Sequence, residues 1–418
     1  MKIKNYPQLA VTPERKLALQ AFEKALKAID PYAITKKEAP KIKAREFQRI
    51  FVVAFGKASV AMAKAVEETL PVFKGVAASP FPAKLRKMRV ISAGHPIPNE
   101  KSVKAGKEIL ELVRQAKEND LVLCLISGGG SALAEIPRVS LQALCESTDT
   151  LLRNGANIQE INCIRRHLSE IKGGKLAKAC KGKMIALVLS DVVGDRLDCI
   201  ASGTAIGDST TFSQALSIAR KYRVRNKEVL ALLEKGARGG IAENPRRVKA
   251  KNIIIASNGT ALAAAKKFLQ ARGVKFRRVF NNFEANADGL GARFARELRK
   301  GSFIAGGEST VVVKGNGKGG RSQQMALRAL ENFPLRENEG MLIACFATDG
   351  MDGNSRNAGA IVDKITLGKA NKLKLDARKF LGNNDSASFF DKTKSSIKTA
   401  YTGTNANDLV IGLKKQLR

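Results

Sequence analysis

The stretch "LVLCLISGGGSALAE", residues 121–135, decides the fold. Its first six residues are all apolar, so the run has no wet face and suits a strand buried on both sides. Ser127 to Ser131 then interrupt it with three consecutive glycines, and a helix-forming stretch follows. Strand, glycine turn and helix in that order make one unit of a layered α/β protein. The turn itself has two readings. Gly128, Gly129 and Gly130 permit the positive φ of a tight turn; equally, they let bare N–H groups approach an anion, with the Ser127 and Ser131 hydroxyls as further donors.

The same pattern recurs outward. Strand-like runs occur at 49–56, 87–94 and 184–191, and again at 252–258, 275–280, 309–315 and 341–350. Helical patterns lie between them, at 59–70, 100–119 and 260–273. The alternation predicts two layered α/β domains with mainly parallel sheets. A glycine- and charge-rich stretch at 235–252 separates the two sets of strands and suggests domains at 1–246 and 247–418, with the helix near Thr12–Ile29 free to pack on either.

Composition narrows the function. The 418 residues carry a formal net charge of +35, but the basic residues are spread along the whole chain. Aromatic residues are only 5%, without tryptophan, which supplies poor stacking platforms for nucleic acid. Incidental polyanion binding is compatible with such a charge. No run of 18 apolar residues occurs, so no membrane span is expected. The opening "MKIKNYPQLAVTPERK" lacks the apolar centre of a secretion signal, and the six cysteines are scattered with no CxxC pair. Both features predict a cytoplasmic location with reduced thiols. The sequence leaves the oligomeric state open and is compatible with a homo-oligomer.

In open α/β sheets, ligands gather beyond the carboxyl ends of strands. "GKAS", 56–59, places Lys57 at such an end, where a helix N-terminus adds to its field. Asp191 opens a polar loop after the run at 184–190, and a strand-end carboxylate can hold Mg²⁺ together with phosphate oxygens. Glu308, Gly319, Gly320 and Arg321 lie in "GGESTVVVKGNGKGGRSQQ", 306–324. This loop formally satisfies GxGxxG, yet no acidic residue follows at dinucleotide-binding distance. It suits amides and a guanidinium fork presented to a carboxylate or phosphate. Asp349 and Asp352 in "ATDGMDG" are turn formers or metal ligands. His95 and His167, with no obvious catalytic partner, read as structural. Glycine cradles, two cations and strand-end carboxylates fit phosphoryl transfer, where positioning and charge neutralisation dominate.

Taken in order, these loops resemble the type-2 glycerate kinases, the family with a C-terminal MOFRL domain. The resemblance rests on "FGKASVAMA", "GHPIPNE", "LISGGGSALAEIP", "INCIRRHLSEIKGGKLA", "LSDVVGDRLDCIASG", "GGESTVVVKGNGKGGRSQQ", "ATDGMDG", "NDSASFF" and "TGTNANDL". It implies phosphorylation of D-glycerate by ATP at the 2-hydroxyl, giving 2-phosphoglycerate, with Mg²⁺ as cofactor. It also implies a Rossmann-like N-terminal domain facing a MOFRL-type domain across a cleft that holds the active site. Lys57 and Arg321 correspond to the family's active-site lysine and arginine. Arg321 is then expected to grip the glycerate carboxylate or the transferring phosphoryl, Lys57 to neutralise phosphate charge, and Ser127–Ser131 with Gly319 and Gly320 to cradle anionic oxygens. Asp191 is the first choice for the acceptor hydroxyl, and Asp191, Asp349 and Glu308 are the metal candidates. Ser322, Gln324 and Arg356 depart from the family's usual residues, and at Gln324 and Arg356 the departure removes negative charge. A hydroxypyruvate reductase-type oxidoreductase and a nucleic-acid-binding relative with a decayed site are the alternatives.

Overall fold

The computed structural model describes residues 2–334 and 339–415. It divides into two compact units, Pro31–Ile255 and Met1–Asp30 with Ala256–Arg418.

The first unit carries a six-stranded sheet: β1 (Ile50–Phe55), β2 (Val72–Ser79), β3 (Met88–Ser92), β4 (Leu121–Ile126), β5 (Lys183–Leu189) and β6 (Ala250–Ala256). Its order is β3-β2-β1-β4-β5-β6, and the pairs β3–β2, β2–β1, β1–β4 and β4–β5 are parallel. This is the Rossmann order, and its switch point lies between β1 and β4. Every residue of β1 and β4 is buried, as their unbroken apolar runs require. β2 escaped the sequence reading because Lys74 and Gly75 interrupt "VFKGVAAS".

The second unit holds β7 (Arg278–Asn286), β8 (Phe303–Thr310), β9 (Met341–Ala347), β10 (Gly359–Asp363), β11 (Ser396–Ile397) and β12 (Asp408–Lys414). Their order is β11-β10-β9-β12-β8-β7. Here the expectation of a mainly parallel sheet needs correction. Only β7–β8 is parallel, because the helix Ala287–Lys300 crosses between them. The pairings β8–β12, β12–β9, β9–β10 and β10–β11 are antiparallel. β9 and β10 are joined by a loop without a helix, which brings the chain straight back on itself.

The units also depart from a cut at 246/247. β6 lies at the edge of the first sheet. The N-terminal helix Pro13–Ala28 belongs with the second unit: Phe22 stacks on Phe346 at 4.6 Å, and buried Arg15 donates to both oxygens of Asp363 at 2.6 and 2.7 Å. The strand expected at 309–315 is in fact 303–310. The valine run that suggested it leaves the sheet, with Val312 and Val313 exposed, while Gly306 and Gly307 sit inside the strand. Asn258 and Phe283 press against those glycines, leaving no room for a Cβ.

Candidate active site

At the switch point of the first unit, β1 and β4 end level, with Phe55 opposite Ile126. The chains then lock together. Ser127 N donates to Phe55 O (3.2 Å), Lys57 N to Gly128 O (2.8 Å) and Ala58 N to Ser127 Oγ (3.0 Å). Gly129 has φ +83°, so the turn does need a left-handed residue. The glycines also serve close approach. A Cβ on Gly128 would fall on the Asp191 carboxylate, and one on Gly129 would lie 2.8 Å from the His95 ring. The Gly128 and Gly129 N–H groups are engaged by no described residue. The turn is therefore tight and offers donors, which satisfies both readings of it. Ser131 Oγ is 2.8 Å from Ser202 Oγ, which donates to Asn162 Oδ1 at 2.8 Å.

Lys57, Ser127–Ser131 and Asp191 thus meet at the ends of β1, β4 and β5. No hydrogen bond or ion pair ties the Lys57 ammonium to a described residue. His95, read from sequence as structural, stands among them. Burial lowers its pKa, and the nearby Lys57 charge lowers it further, so its imidazole is neutral at pH 7. Its proline-flanked setting gave no sign of this. His167 is structural as expected: its buried ring bonds Cys163 O and packs edge-on against Phe212.

In the second unit, Arg321 opens the helix Arg321–Glu331 and faces two carboxylates. Its Nη1 donates to Glu308 and its Nε to Asp408 (3.1 Å), leaving Nη2 unengaged among the described residues. Burial opposes the guanidinium charge, but Asp408 and Glu308 overcome it and hold the pKa above its ordinary value. Asp408, fully buried, also accepts from Ser309 N (3.0 Å) and Ser309 Oγ (2.8 Å). Asp352 caps the same helix, accepting from Ser322 N (2.9 Å) and Gln323 N (2.7 Å). Burial pushes its pKa up to about 7 despite these donors. Burial likewise raises that of Asp408. Asp352, read from sequence as a turn former or metal ligand, is thus a structural support, as is Asp408, which sequence spacing did not single out.

A cavity of about 790 Å³ opens here, lined by Glu308, Gly319, Gly320, Arg321 and Asp349 among others. The glycine loop beside it has its amides engaged. Lys314 N and Gly315 N donate to Asn384, Asn316 N and Gly317 N to Asn383, Lys318 N to Asp385, and Gly319 N to Asn354. The structure therefore gives Gly319 and Gly320 a packing role: Cβ atoms there would strike Ser386 and the Asp352–Gly353 backbone. Glu308 is committed to Arg321 rather than free for a metal. Among the described residues, no three His, Cys, Asp or Glu side chains converge as a metal cage. No helix among them is long and apolar enough to cross a membrane.

Residues 17–234 match a domain of unknown function, DUF4147, and residues 301–408 match the MOFRL family. The chain is 39% identical to a glycerate 2-kinase of Pyrococcus horikoshii, over 96% of this chain and 97% of that protein. It is 38% identical to a D-glycerate 2-kinase of Thermotoga maritima, over 96% and 98%. The crystal structure of a glycerate kinase from Thermotoga maritima superposes with a TM-score of 0.86 at 37% identity, covering 96% of this chain and 99% of that one.

Proposed function

Since the chain belongs to the glycerate 2-kinase family, with its DUF4147 and MOFRL domains, we propose that it transfers the γ-phosphoryl group of ATP to the 2-hydroxyl of D-glycerate. One observation carries the reading. The ammonium of Lys57 and the amides of Gly128 and Gly129, all unengaged among the described residues, converge with the carboxylate of Asp191 at a Rossmann switch point.

Each part has a task in that reaction. The C2 oxygen bonds to the γ-phosphorus while the bond from that phosphorus to the bridging oxygen breaks, releasing ADP. The hydroxyl proton passes to Asp191. Lys57 and the turn's N–H groups stabilise the charge on the equatorial phosphoryl oxygens, where fixed donors have most effect. Arg321, oriented by Glu308 and Asp408, offers Nη2 to an anionic oxygen in the cavity of the second unit.

The donor set fits Mg²⁺, which takes one or two protein carboxylates and completes its shell with phosphate oxygens and water. Asp191, at the strand ends of the first unit, is the carboxylate that would hold it. When bound, it neutralises phosphate charge. A reductase reading gains little from the 315–320 loop, whose amides from Gly315 to Gly319 already have acceptors.

The test is a coupled assay on the purified chain. ADP release that requires both D-glycerate and Mg²⁺, with 2-phosphoglycerate identified by NMR, is expected. NADH consumption with hydroxypyruvate and no ADP release would replace this reading by the oxidoreductase one. Salt-sensitive RNA retention with neither activity would replace it by a binding role.

A further inference from the structure

An acceptor acid needs a grip on its carboxylate, and a planar two-pronged donor serves best. The helix Ile158–His167 in the first unit presents one. Asn162 on this helix is buried. Its Oδ1 is engaged by Ser202, which reaches Ser131 at the end of the glycine turn, while its Nδ2 has the Cys199 thiol nearby but makes no hydrogen bond to a described residue. Three residues on, and so on the same helical face, the Nε of Arg165 is also buried without a partner.

The surroundings of Arg165 place it beside the candidate site. Glu135 and Cys145 act on its charge. Glu135 follows the helical turn Gly130–Leu133. The Cys145 thiol lies 3.9 Å from Pro98 O, in the loop that carries His95. Glu135 does not neutralise Arg165, because its carboxylate is held by Lys172, and both of those side chains are fully buried. Two cations therefore share one anion. The adjacent Arg166 makes the contrast: it donates to Asn162 O at 3.2 Å and lies 3.4 Å from Asp208. Burial lowers the Arg165 pKa, as expected of a cation kept from water without a full partner. Such a charge is costly unless something anionic completes it.

We propose that Arg165, together with Asn162 Nδ2, binds the carboxylate of the 2-hydroxy acid acceptor; this rests on the kinase reading above. The carboxyl group is bonded directly to C2. Fixing it near Ser131 therefore selects the neighbouring hydroxyl for transfer and disfavours acceptors without an acid group, such as glycerol.

Steady-state kinetics of Arg165→Met test the assignment. The KM for D-glycerate should rise at least ~30-fold, in line with loss of a charge-assisted hydrogen-bond pair, while the KM for ATP stays within about twofold. The Tm should be unchanged, and millimolar guanidinium should restore part of the activity. A glycerate KM within threefold of wild type, or an equal rise in both KM values, overturns the proposal. Should Arg165→Met fail to fold, Arg165→Lys keeps the charge without the fork; it should still raise the glycerate KM selectively, and an unchanged value overturns the idea. If the wild type shows no glycerate-dependent ADP release, the kinase reading falls separately. Calorimetry with D-glycerate and D-lactate then decides: binding abolished in Arg165→Met supports a carboxylate subsite, and equal binding, or none to the wild type, refutes it.

Discussion

Two glycine-rich loops, 127–131 and 315–320, look alike in sequence and behave differently. In the first, Gly128 and Gly129 keep their N–H groups unengaged, and the glycines make room for Asp191 and His95. In the second, each amide from Gly315 to Gly319 already has an acceptor on Asn383, Asn384, Asp385 or Asn354. The cations differ in the same sense. Lys57 carries no carboxylate partner among the described residues, whereas Arg321 is flanked by Glu308 and Asp408. Glycine density allows an anion cradle, but the presence of Asn and Asp acceptors nearby decides whether the cradle is open. The first loop leaves two backbone donors open among the described residues; in the second the acceptors are already in place.

The sharpest break between them should appear in catalysis. Lys57→Ala and Arg321→Ala are each expected to lower kcat/KM at least ~100-fold, the scale of a lost charge-stabilising group in phosphoryl transfer. Their folding should diverge. Lys57→Ala removes an unpaired ammonium and should leave the Tm near wild type. Arg321→Ala leaves Asp408 buried without its cation and should lower the Tm as well. Equal Tm values would erase the contrast drawn between the two cations.

Glycine replacements sharpen the comparison next. In Gly128→Ala the new methyl meets Asp191, so kcat/KM should fall about tenfold or more from misplacement of reacting groups. In Gly317→Ala the methyl would lie 2.5 Å from the Asn383 carbonyl and Asp385 Cβ. That change should cost about 1–3 kcal/mol of stability, as overpacking does, with kcat/KM altered much less. Thermal melts beside initial rates separate the two, and reversal of the pattern would mean the loops' roles had been exchanged.

The buried acid under Arg321 gives a pH signature. Burial raises the folded pKa of Asp352 to about 7, above the ordinary carboxylate value near 4 of the unfolded chain. The folded state then binds the extra proton between those values. Its contribution to stability is full below about pH 4, declines as pH rises towards 7, and is flat beyond. Asp352→Asn should remove this decline. Urea midpoints of wild type and variant from pH 4 to 8 test it, and parallel curves would show that Asp352 stays ionised throughout.

How much of this was written in the sequence follows from what each signal measures. The runs at 50–55 and 121–126 read correctly because strands buried on both faces need an uninterrupted apolar sequence, and Lys57, Ser127 and Asp191 stood out as candidates because strand ends in such sheets carry the ligand loops. The same apolar signal failed at 311–313, where β-branched residues leave the sheet, and at Gly306–Gly307, where packing requires glycine inside a strand. His95 and Arg165 were hidden for another reason. Their significance lies in neighbours distant along the chain, Lys57 and Gly129 for one, Glu135 and Lys172 for the other. Nor could spacing tell Arg165 from Arg166, although one is unpartnered and the other paired.

The smallest effect tests the acceptors that close the second loop. Asn384 Oδ1 receives two backbone N–H groups, from Lys314 at 2.6 Å and Gly315 at 3.1 Å, and its Nδ2 donates to Val312 O at 3.3 Å. Asn384→Ala frees both amides at a partly exposed position, where water can replace the lost acceptor. The cost should therefore be only about 0.5–1.5 kcal/mol, with little change in kcat/KM. Asn384→Asp is the informative partner, because an ionised carboxylate accepts the same two N–H groups more strongly but repels an anion in the neighbouring cavity. It should retain or raise the Tm while weakening binding of the phosphate-bearing ligand. If it instead leaves the KM for ATP unchanged, the cavity beside Arg321 does not receive the nucleotide's charge, and the second loop supports Arg321 from a greater distance than its lining of that cavity suggests.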